Sequence, residues 1–550
     1  MEVWGHSITA LVKTISCCRY IEKLSERRRS RRQLTYPKNM CRPADMINKF
    51  RSVVNNVVAN LHQVPNAEEK PPRMEDLPIK YPYSRPEFLN LSDEEVKVSA
   101  DHTLRPILVP RDLSRLPWNT GYSEVINAGK TIHNEDQAAI GVFHFSTTPN
   151  DGTGNSPTKT RRPTSTDTSS TENSMVKDLD DNSYTYFAIF DGHAGHAAAV
   201  MAVHRLHEHI HQHLSPMAHL ITSPTGNSHA VGKSVHIHDD RYHGRSCKWP
   251  FAEQDLPVEG VVSGALENAF WEMDLEIGQE KMSYRIAGGC TVLVAIFMQG
   301  KLYVANAGDS RAIISRGGEI IEMSQEYTPN SERQRIQQLA YQQPCLLDNE
   351  FTHLEFQKRI YRKDVGKRIL YRDQHMTGWA YKTITAEDTK FPLIYGDGKK
   401  SRMLATIGVT RGFGDHELKV HETNIYLKPF LSPIPEVRVY DLTDNEHTEN
   451  DVLIMGSDGL WDILSNQEAV DVVKDILDNF PPGDMSRYAS AAQELVMQAR
   501  GILKQRGWRT MNDTRPASND DITVFVIPLH CHGNLSSQSS LTESQDALPT

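Results

Sequence analysis

The stretch Y-F-A-I-F-D-G-H-A-G, residues 186–195, joins an apolar run to an acid, two glycines and a histidine. Phe187–Phe190 is short and rich in aromatic residues, which predicts a buried strand. Asp191 follows where that strand should leave the core, and Gly192 should turn the backbone and present its carbonyl. These two oxygen donors suit a hard divalent cation, and His193 would stand beside it as a proton donor. The alternative is an ordinary strand that ends in an Asp-Gly turn.

Acids recur beside other apolar runs of the chain. They are Glu135 and Asp136, Asp309 after Leu302–Ala307, Asp458 after Val452–Met455, and Asp520 and Asp521 before Ile522–Ile527. Carboxylates gathered without a cation repel one another, and one of them would have to stay protonated. Because the donors are oxygens and no cysteine or histidine cluster accompanies them, the pattern predicts a magnesium or manganese site.

Composition excludes several classes of protein. The net charge of −10 over 550 residues argues against a general nucleic-acid binder. Seven cysteines without a C-x-x-C pair indicate a reducing compartment and no disulfide framework. No apolar run is long enough to span a bilayer, and there is no secretory signal. We therefore expect a cytoplasmic protein.

Seven short segments occur in order between residues 118 and 528. They are N-E-D-Q (134–137), D-G-H-A-G (191–195), G-G-C-T-V-L (288–293), N-A-G-D-S-R-A (306–312), T-R-G-F-G-D (410–415), G-S-D-G-L-W-D (456–462) and N-D-D-I-T-V (519–524). Together they resemble the metal-dependent Ser/Thr protein phosphatases, the PPM or type 2C family. Residues 121–130 and the long insert before Thr410 resemble the H/J/M subgroup of that family.

The resemblance implies hydrolysis of phosphoserine and phosphothreonine in proteins by a water that two Mg²⁺ or Mn²⁺ ions activate. Carried over by position, the metal ligands are Glu135, Asp191, the Gly192 carbonyl, Asp458 and Asp521, with Asp309 and Asp462 at a weaker third cation. Asp136 would orient waters around the metals, and His193 would protonate the leaving oxygen. For each acid, a turn or helix-cap role is the alternative.

One position departs from the family pattern. Many members carry an arginine four residues before the Glu-Asp pair, where it grips the substrate phosphate. Here that position is Thr131, with Lys130 beside it. A lysine binds phosphate as a point charge without the planar fork of arginine, so we predict that Lys130 substitutes with a weaker grip. A catalytically silent phosphoprotein-binding scaffold is the alternative function, and a two-metal nuclease is disfavoured by the negative charge.

Strands in runs with helices between and after them predict an α+β fold. The resemblance implies the layering, an αββα sandwich of two antiparallel sheets flanked by helices, with an inserted flap at about 324–405. The flap carries many cations, which would meet an acidic or phosphorylated protein surface or simply cover a solvated face. They include Arg333, Arg335, Lys358, Arg359, Arg362, Lys363, Lys367 and Arg368.

The chain divides by composition. We predict an N-terminal extension (1–100) with amphipathic helices at 4–24 and 46–61 and a Pro-rich linker. A phosphatase domain (101–530) follows, with disordered insertions at about 147–181 and 215–257. The last residues, 531–550, form a disordered tail. The N-terminal helices would attach the protein peripherally to a membrane, dock on the catalytic domain, or form a disordered leader. Cys17 and Cys18 could carry palmitate. The subgroup resemblance suggests phosphorylated Rab-type GTPases on membranes as substrates.

Two further features allow a functional or a structural interpretation. The predicted helix Ala197–Leu214 contains five histidines, of which His209 and His213 share a face. No cysteine or acid pattern nearby completes a tetrahedral zinc site, so a solvated or partly packed face is favoured. Cys290 begins an apolar strand without a histidine partner, so we expect a core residue rather than a nucleophile.

Overall fold

The computed structural model describes residues 76–145, 182–221, 257–396 and 398–532. The predicted helices at 4–24 and 46–61, the 147–181 insertion and most of the 215–257 insertion and 531–550 tail lie outside these residues. All described residues belong to one compact unit, Arg73–Thr550. Residues 76–100 are therefore part of the domain that the sequence predicts to begin at 101.

The described part of the chain contains four long helices and several short ones. They are α1 (Asp93–Ser99), α2 (Ala197–Leu214), α3 (Ala218–Ile221), α4 (Val258–Glu280), α5 (Arg333–Gln342), α6 (Asp458–Trp461), α7 (Asn466–Asn479) and α8 (Arg487–Arg500). Helical structure continues after α2 to Ile221, so the insertion begins later than the predicted residue 215. The apolar spacing predicts a helix over Ser490–Leu503, but α8 spans Arg487–Arg500 and ends there because Gly501 adopts a positive φ of 67°. None of the described helices has the length and apolar composition that crossing a bilayer requires.

The strands are mostly short, and the central strands β4, β17 and β20 are buried along their whole length. They are β1 (Gly121–Val125), β2 (Gln137–His144), β3 (Ser183–His193), β4 (Gly289–Met298), β5 (Lys301–Ala307), β6 (Arg311–Arg316), β7 (Glu319–Glu322), β8 (Phe351–Thr352), β9 (Glu355–Phe356), β10 (Arg368–Arg372), β11 (Ala380–Thr383), β12 (Phe391–Pro392), β13 (Ile394–Tyr395), β14 (Arg402–Met403), β15 (Phe413–Gly414), β16 (Glu436–Asp441), β17 (Val452–Gly456), β18 (Ile502–Lys504), β19 (Gly507–Arg509) and β20 (Ile522–Pro528).

Two antiparallel sheets form the centre of the domain. The first has the order β16-β5-β4-β3-β2, with β15 added beside one end of β4, and the second has the order β1-β20-β17-β6-β7. The dipeptide Gln299-Gly300 between two apolar runs predicts a hairpin turn, and the β4–β5 hairpin turns there with both residues at positive φ. The sequence pattern predicts one strand over Lys301–Ile314, but the structure has two, because the chain passes from the first sheet to the second at Gly308–Ser310.

Alternation along each strand builds three apolar layers. On β3, Phe187 and Ile189 pack between the two sheets, whereas Tyr186, Ala188 and Phe190 pack beneath α2 and α4. The outer face of the second sheet is covered in the same way by α7 and α8. Both faces of each sheet are thus buried, which is why the central strands read as uninterrupted apolar runs. The predicted αββα sandwich is confirmed.

The flap lies between β7 and β16 and has a core of its own. That core includes Ile336, Phe351, Leu393 and Met403 and extends past the predicted end at 405 to Leu427 and Phe430. The flap contains α5 and the short strands β8–β14, of which β9, β10 and β11 form a three-stranded antiparallel sheet.

Not all of the predicted surface cations of the flap are exposed. Arg333 is buried against Gln337 and Glu355, and Arg335 is paired with Glu332. The exposed members of the predicted set are Lys358, Arg362, Lys363, Lys367 and Arg368.

Candidate metal centre and active site

Three carboxylates converge at one end of the sandwich. Asp191 lies near the end of β3, Asp309 lies where the chain passes from β5 to β6, and Asp458 begins α6 directly after β17. One oxygen from each lies within 4.8 Å of the others. The backbone N–H of Asp458 also donates to Asp191 Oδ2 at 3.4 Å. Residues far apart in sequence meet here because both sheets present the ends of their central strands to the same cavity.

The charges of this acidic group require compensation. Burial, together with repulsion from neighbouring carboxylates, raises the pKa values of Asp191 and Asp458 well above their ordinary range. Burial and the nearby Glu326 raise the pKa of Asp309 to about 6. Behind the cavity, Asp136 is 1% exposed, and its Oδ2 has no hydrogen-bond partner in the described part of the chain. An all-oxygen donor set with this excess of negative charge fits divalent cations of the magnesium type.

Gly192 acts through close packing rather than through a turn. The β3 strand does not end at Asp191 but continues to His193, where it pairs with Gly289 of β4. The turn comes later, at Ala194, with a φ of 56°. A Cβ on Gly192 would lie 2.4 Å from the Glu135 carbonyl oxygen. Only glycine therefore allows the Asp191 strand and the Glu135 segment to approach this closely.

A buried arginine from the N-terminal segment holds the Glu135 segment in place. Arg85 is 4% exposed and donates to both carboxylate oxygens of Glu124, at 2.7 and 2.5 Å. Its Nη1 also donates to the backbone carbonyls of Asn134, at 3.2 Å, and Asp136, at 2.7 Å. These contacts fix the backbone on either side of Glu135, which itself lines the cavity. Sequence reasoning treated this segment as a linker and missed its role.

The structure corrects the predicted role of Asp521. Its Oδ1 accepts from the backbone N–H of Asn127 at 2.7 Å, and its Oδ2 accepts from that of Glu135 at 3.0 Å. Asp521 is 6% exposed and is not among the residues lining the cavity, whereas Asp520 is. Both residues lie just before β20, which begins at Ile522. Asp520 therefore faces the cavity, whereas Asp521 holds the backbone of Asn127 and Glu135.

His193 is held by an acid that the sequence analysis did not single out. Asp415, the last residue of T-R-G-F-G-D, lies with its Oδ2 2.7 Å from His193 Nε2. Burial lowers the pKa of His193, but the charge and hydrogen bond of Asp415 and the nearby carboxylates of Asp309 and Glu135 together raise it, so the net shift is upward. Asp415 has a φ of 55°, and its backbone N–H is fixed by the Gly288 carbonyl. The motif was visible in the sequence, but the contact between residues 193 and 415 was not.

The acids and His193 line an open cavity of about 520 Å³ that the flap borders. Lys130 lies at its rim, where its ammonium pairs with Asp520. From the flap, Lys399 lies 2.5 Å from Asp462 Oδ1 and 3.7 Å from Glu326. Asp462 therefore lines the cavity as predicted, but it pairs with a flap lysine and stands outside the group of three carboxylates.

Cys290 has the structural role that the sequence predicts. It is fully buried on β4, and burial raises the pKa of its thiol well above the usual range. A buried thiol of this kind stays protonated and is a poor nucleophile.

Comparison with known proteins finds protein phosphatases as relatives of this chain. Residues 151–342 and 394–503 match the family described as Protein phosphatase 2C. The chain is 53% identical to human Protein phosphatase 1H over 84% of this chain and 93% of that protein. It is 43% identical to mouse Protein phosphatase 1J over 88% of this chain and 98% of that protein. A solved serine-threonine phosphatase 2C from Toxoplasma gondii aligns at 15% identity and a TM-score of 0.38, over 77% of this chain and 99% of the other.

Proposed function

The chain belongs to the protein phosphatase 2C family, in the subgroup of phosphatases 1H and 1J, and on that premise we propose that its acidic cavity uses two Mg²⁺ or Mn²⁺ ions to hydrolyse phosphoserine and phosphothreonine. Membership makes the chain a metal-dependent serine/threonine protein phosphatase. The number and kind of ions, the roles of single residues and the substrate are the proposed part. The observation that carries the proposal is the convergence of Asp191, Asp309 and Asp458 in one open cavity.

The oxygen donors that line the cavity would hold the ions. They are the carboxylates of Glu135, Asp191, Asp309, Asp458 and Asp520 and the backbone carbonyl of Gly192. When bound, such ions neutralise the phosphate and lower the pKa of the water that attacks phosphorus. Asp136 and Asp521 lie behind these donors. Asp521 accepts from the backbone N–H of Glu135, and Asp136 would orient solvent around the ions. Asp309 and the Lys399-paired Asp462 would hold the weaker third ion.

The protein's own groups manage the substrate and the proton. Asp415 orients the His193 imidazole and stabilises its protonated form, so His193 would donate a proton to the departing serine or threonine oxygen. Lys130 lies at the rim of the cavity, where it pairs with Asp520, and it would weaken that ion pair to contact the substrate phosphate. Together these contacts orient the ester so that the leaving oxygen faces His193.

The exposed flap cations bear on the choice of substrate. Lys358, Arg362, Lys363, Lys367 and Arg368 favour an acidic or phosphorylated protein surface. We propose phosphorylated Rab-type GTPases as the substrate class, on the basis of the subgroup resemblance. Action in the cytoplasm, with peripheral membrane attachment through residues 46–61, stays a prediction because that segment lies outside the described residues.

A phosphate-release assay on the full-length protein tests the proposed activity. We expect Mn²⁺-dependent release from a phosphothreonine peptide, its loss in Asp191→Ala, and no change in Asp513→Ala, whose carboxylate pairs with Arg509 on the surface. Manganese binding by calorimetry should weaken only in Asp191→Ala. A wild-type protein that binds the phosphopeptide but releases no phosphate would favour the silent-scaffold alternative instead.

The substrate proposal has its own assay. With a phosphorylated Rab protein, Lys363→Glu together with Lys367→Glu should raise KM and leave kcat and peptide hydrolysis unchanged. Lys504→Glu, an exposed lysine outside the flap, serves as the control. Equal KM values for wild type and flap variant would refute the role of these cations.

A further inference from the structure

Two histidines of α2 meet a glutamate of α4 on the outer helical layer. His209 and His213 are four residues apart and share one helix face. Glu272 Oε2 lies 3.5 Å from His209 Nδ1 and 3.0 Å from His213 Nε2. The acid that the sequence analysis did not find near the histidines therefore comes from another helix.

Both histidine nitrogens lack the hydrogen bonds that buried polar atoms normally make. His209 is 9% exposed, and neither its Nδ1 nor His213 Nε2 has a hydrogen-bond partner within the described ranges. The other nitrogen of His209, Nε2, lies 2.6 Å from Glu276 Oε2. If Nε2 carries the ring proton and donates it to Glu276, the Nδ1 lone pair faces a carboxylate oxygen. Two acceptors facing each other in a buried place are stabilised by a cation between them.

We propose that His209, His213 and Glu272 form a zinc site separate from the catalytic cavity. Zinc binds two histidines and one carboxylate at about 2.0–2.2 Å in tetrahedral geometry, which places neighbouring donor atoms about 3.3 Å apart. The separations from Glu272 Oε2 to the two nitrogens, 3.5 and 3.0 Å, bracket that spacing. The Glu272 side chain is 38% exposed, so the fourth position is open to water.

The surroundings supply the support that metal-bound histidines usually have. Glu276 accepts from His209 and is itself held by Arg205 Nε at 3.0 Å. A carboxylate behind a ligating histidine fixes the ring orientation and raises its basicity. The donor atoms of His209, His213 and Glu272 do not all lie within 4.8 Å of one another. Among the described residues, those of Asp191, Asp309 and Asp458 do. Binding therefore requires His213 to rotate from its position beside Glu272, and 25% of its side chain is exposed to solvent.

The ion would join α2 to α4, which pack together on the outer face of the first sheet. None of its ligands lines the catalytic cavity, so its effect falls on stability rather than on the reaction. The second insertion lies between α2 and α4 in sequence, so the ion would also close the loop that contains it.

The test uses tag-free, full-length protein stripped of metal and titrated with Zn²⁺ by calorimetry and with Co²⁺ by visible absorption. We expect a site that persists in Asp191→Asn, is weakened at least about tenfold in His213→Gln and in Glu272→Gln, and gives tetrahedral Co²⁺ bands. Glu276→Gln should weaken it roughly 10- to 100-fold because His209 loses its support. His219→Gln and Glu267→Gln, exposed residues on neighbouring positions of the same layer, are the matched controls.

Mn²⁺-dependent phosphatase activity, retained in His213→Gln and Glu272→Gln, shows that these variants are folded. Zn²⁺ should raise the Tm of Asp191→Asn and fail to raise it when His213→Gln is added. Equal Zn²⁺ stoichiometry and affinity in wild type, His213→Gln and Glu272→Gln would overturn the proposal. So would the loss of all Zn²⁺ binding in Asp191→Asn alone.

Discussion

Replacing Arg85 by methionine should destabilise the domain and impair catalysis together. Arg85 forms a bidentate ion pair with Glu124, and both side chains are at most 1% exposed. Removing one member leaves the Glu124 charge buried without its counter-ion, and the Asn134 and Asp136 carbonyls lose their donor. Breaking a buried pair in this way costs about 3–5 kcal/mol of unfolding free energy. Because those carbonyls flank Glu135, metal affinity and kcat should fall as well.

Two further variants separate the charge effect from the loss of the carbonyl donors. In Arg85→Met with Glu124→Met the orphaned charge is gone, so stability should recover in part. The two carbonyls still lack a donor, which leaves a deficit of roughly 1–3 kcal/mol. Arg111→Met is the control, because Arg111 pairs with Glu95 at the solvent-exposed surface and its loss should change stability little.

Urea unfolding followed by tryptophan fluorescence measures these differences, and manganese calorimetry reports the effect on the metal centre. Arg85→Met unfolding at the same urea concentration as Arg111→Met would refute the reasoning. A double variant less stable than Arg85→Met would show that the Glu124 charge is not the source of the loss.

Three other substitutions test the site at single residues. Asp520→Ala should weaken Mn²⁺ binding and abolish phosphate release with little loss of stability. Asp521→Ala should instead lower the unfolding free energy by about 2–4 kcal/mol, because two buried N–H groups lose their acceptor. The reverse pattern in calorimetry and urea unfolding would reject our assignment. Gly192→Ala, whose Cβ would meet the Glu135 carbonyl, should cost about 100-fold in kcat/KM, and wild-type kinetics would contradict that contact. Lys130→Ala should raise KM for a phosphopeptide several-fold at unchanged kcat, and an unaltered KM would remove Lys130 from phosphate binding.

The main strands and helices of the fold were largely predictable from local patterns, whereas their layering was implied by the family resemblance. Apolar runs such as Phe187–Phe190 and Val452–Met455 predicted strands because side chains alternate along an extended backbone. The helix Ala197–Leu214 was predicted with the bounds it has, because helical periodicity repeats within a few residues. The acids at strand ends predicted a common site, and Asp191, Asp309 and Asp458 do meet there.

Contacts between distant residues needed the path of the folded chain. Which of the adjacent Asp520 and Asp521 faces the cavity depends on how the chain enters β20, because both residues precede that strand. The Arg85–Glu124, His193–Asp415 and His209–Glu272 contacts join segments whose approach no local pattern encodes. Local sequence determines which backbone shape and which face a residue takes, because those follow from its immediate neighbours. Which side chains meet across the domain depends on the packing of all layers at once, and that packing exists only in the tertiary structure.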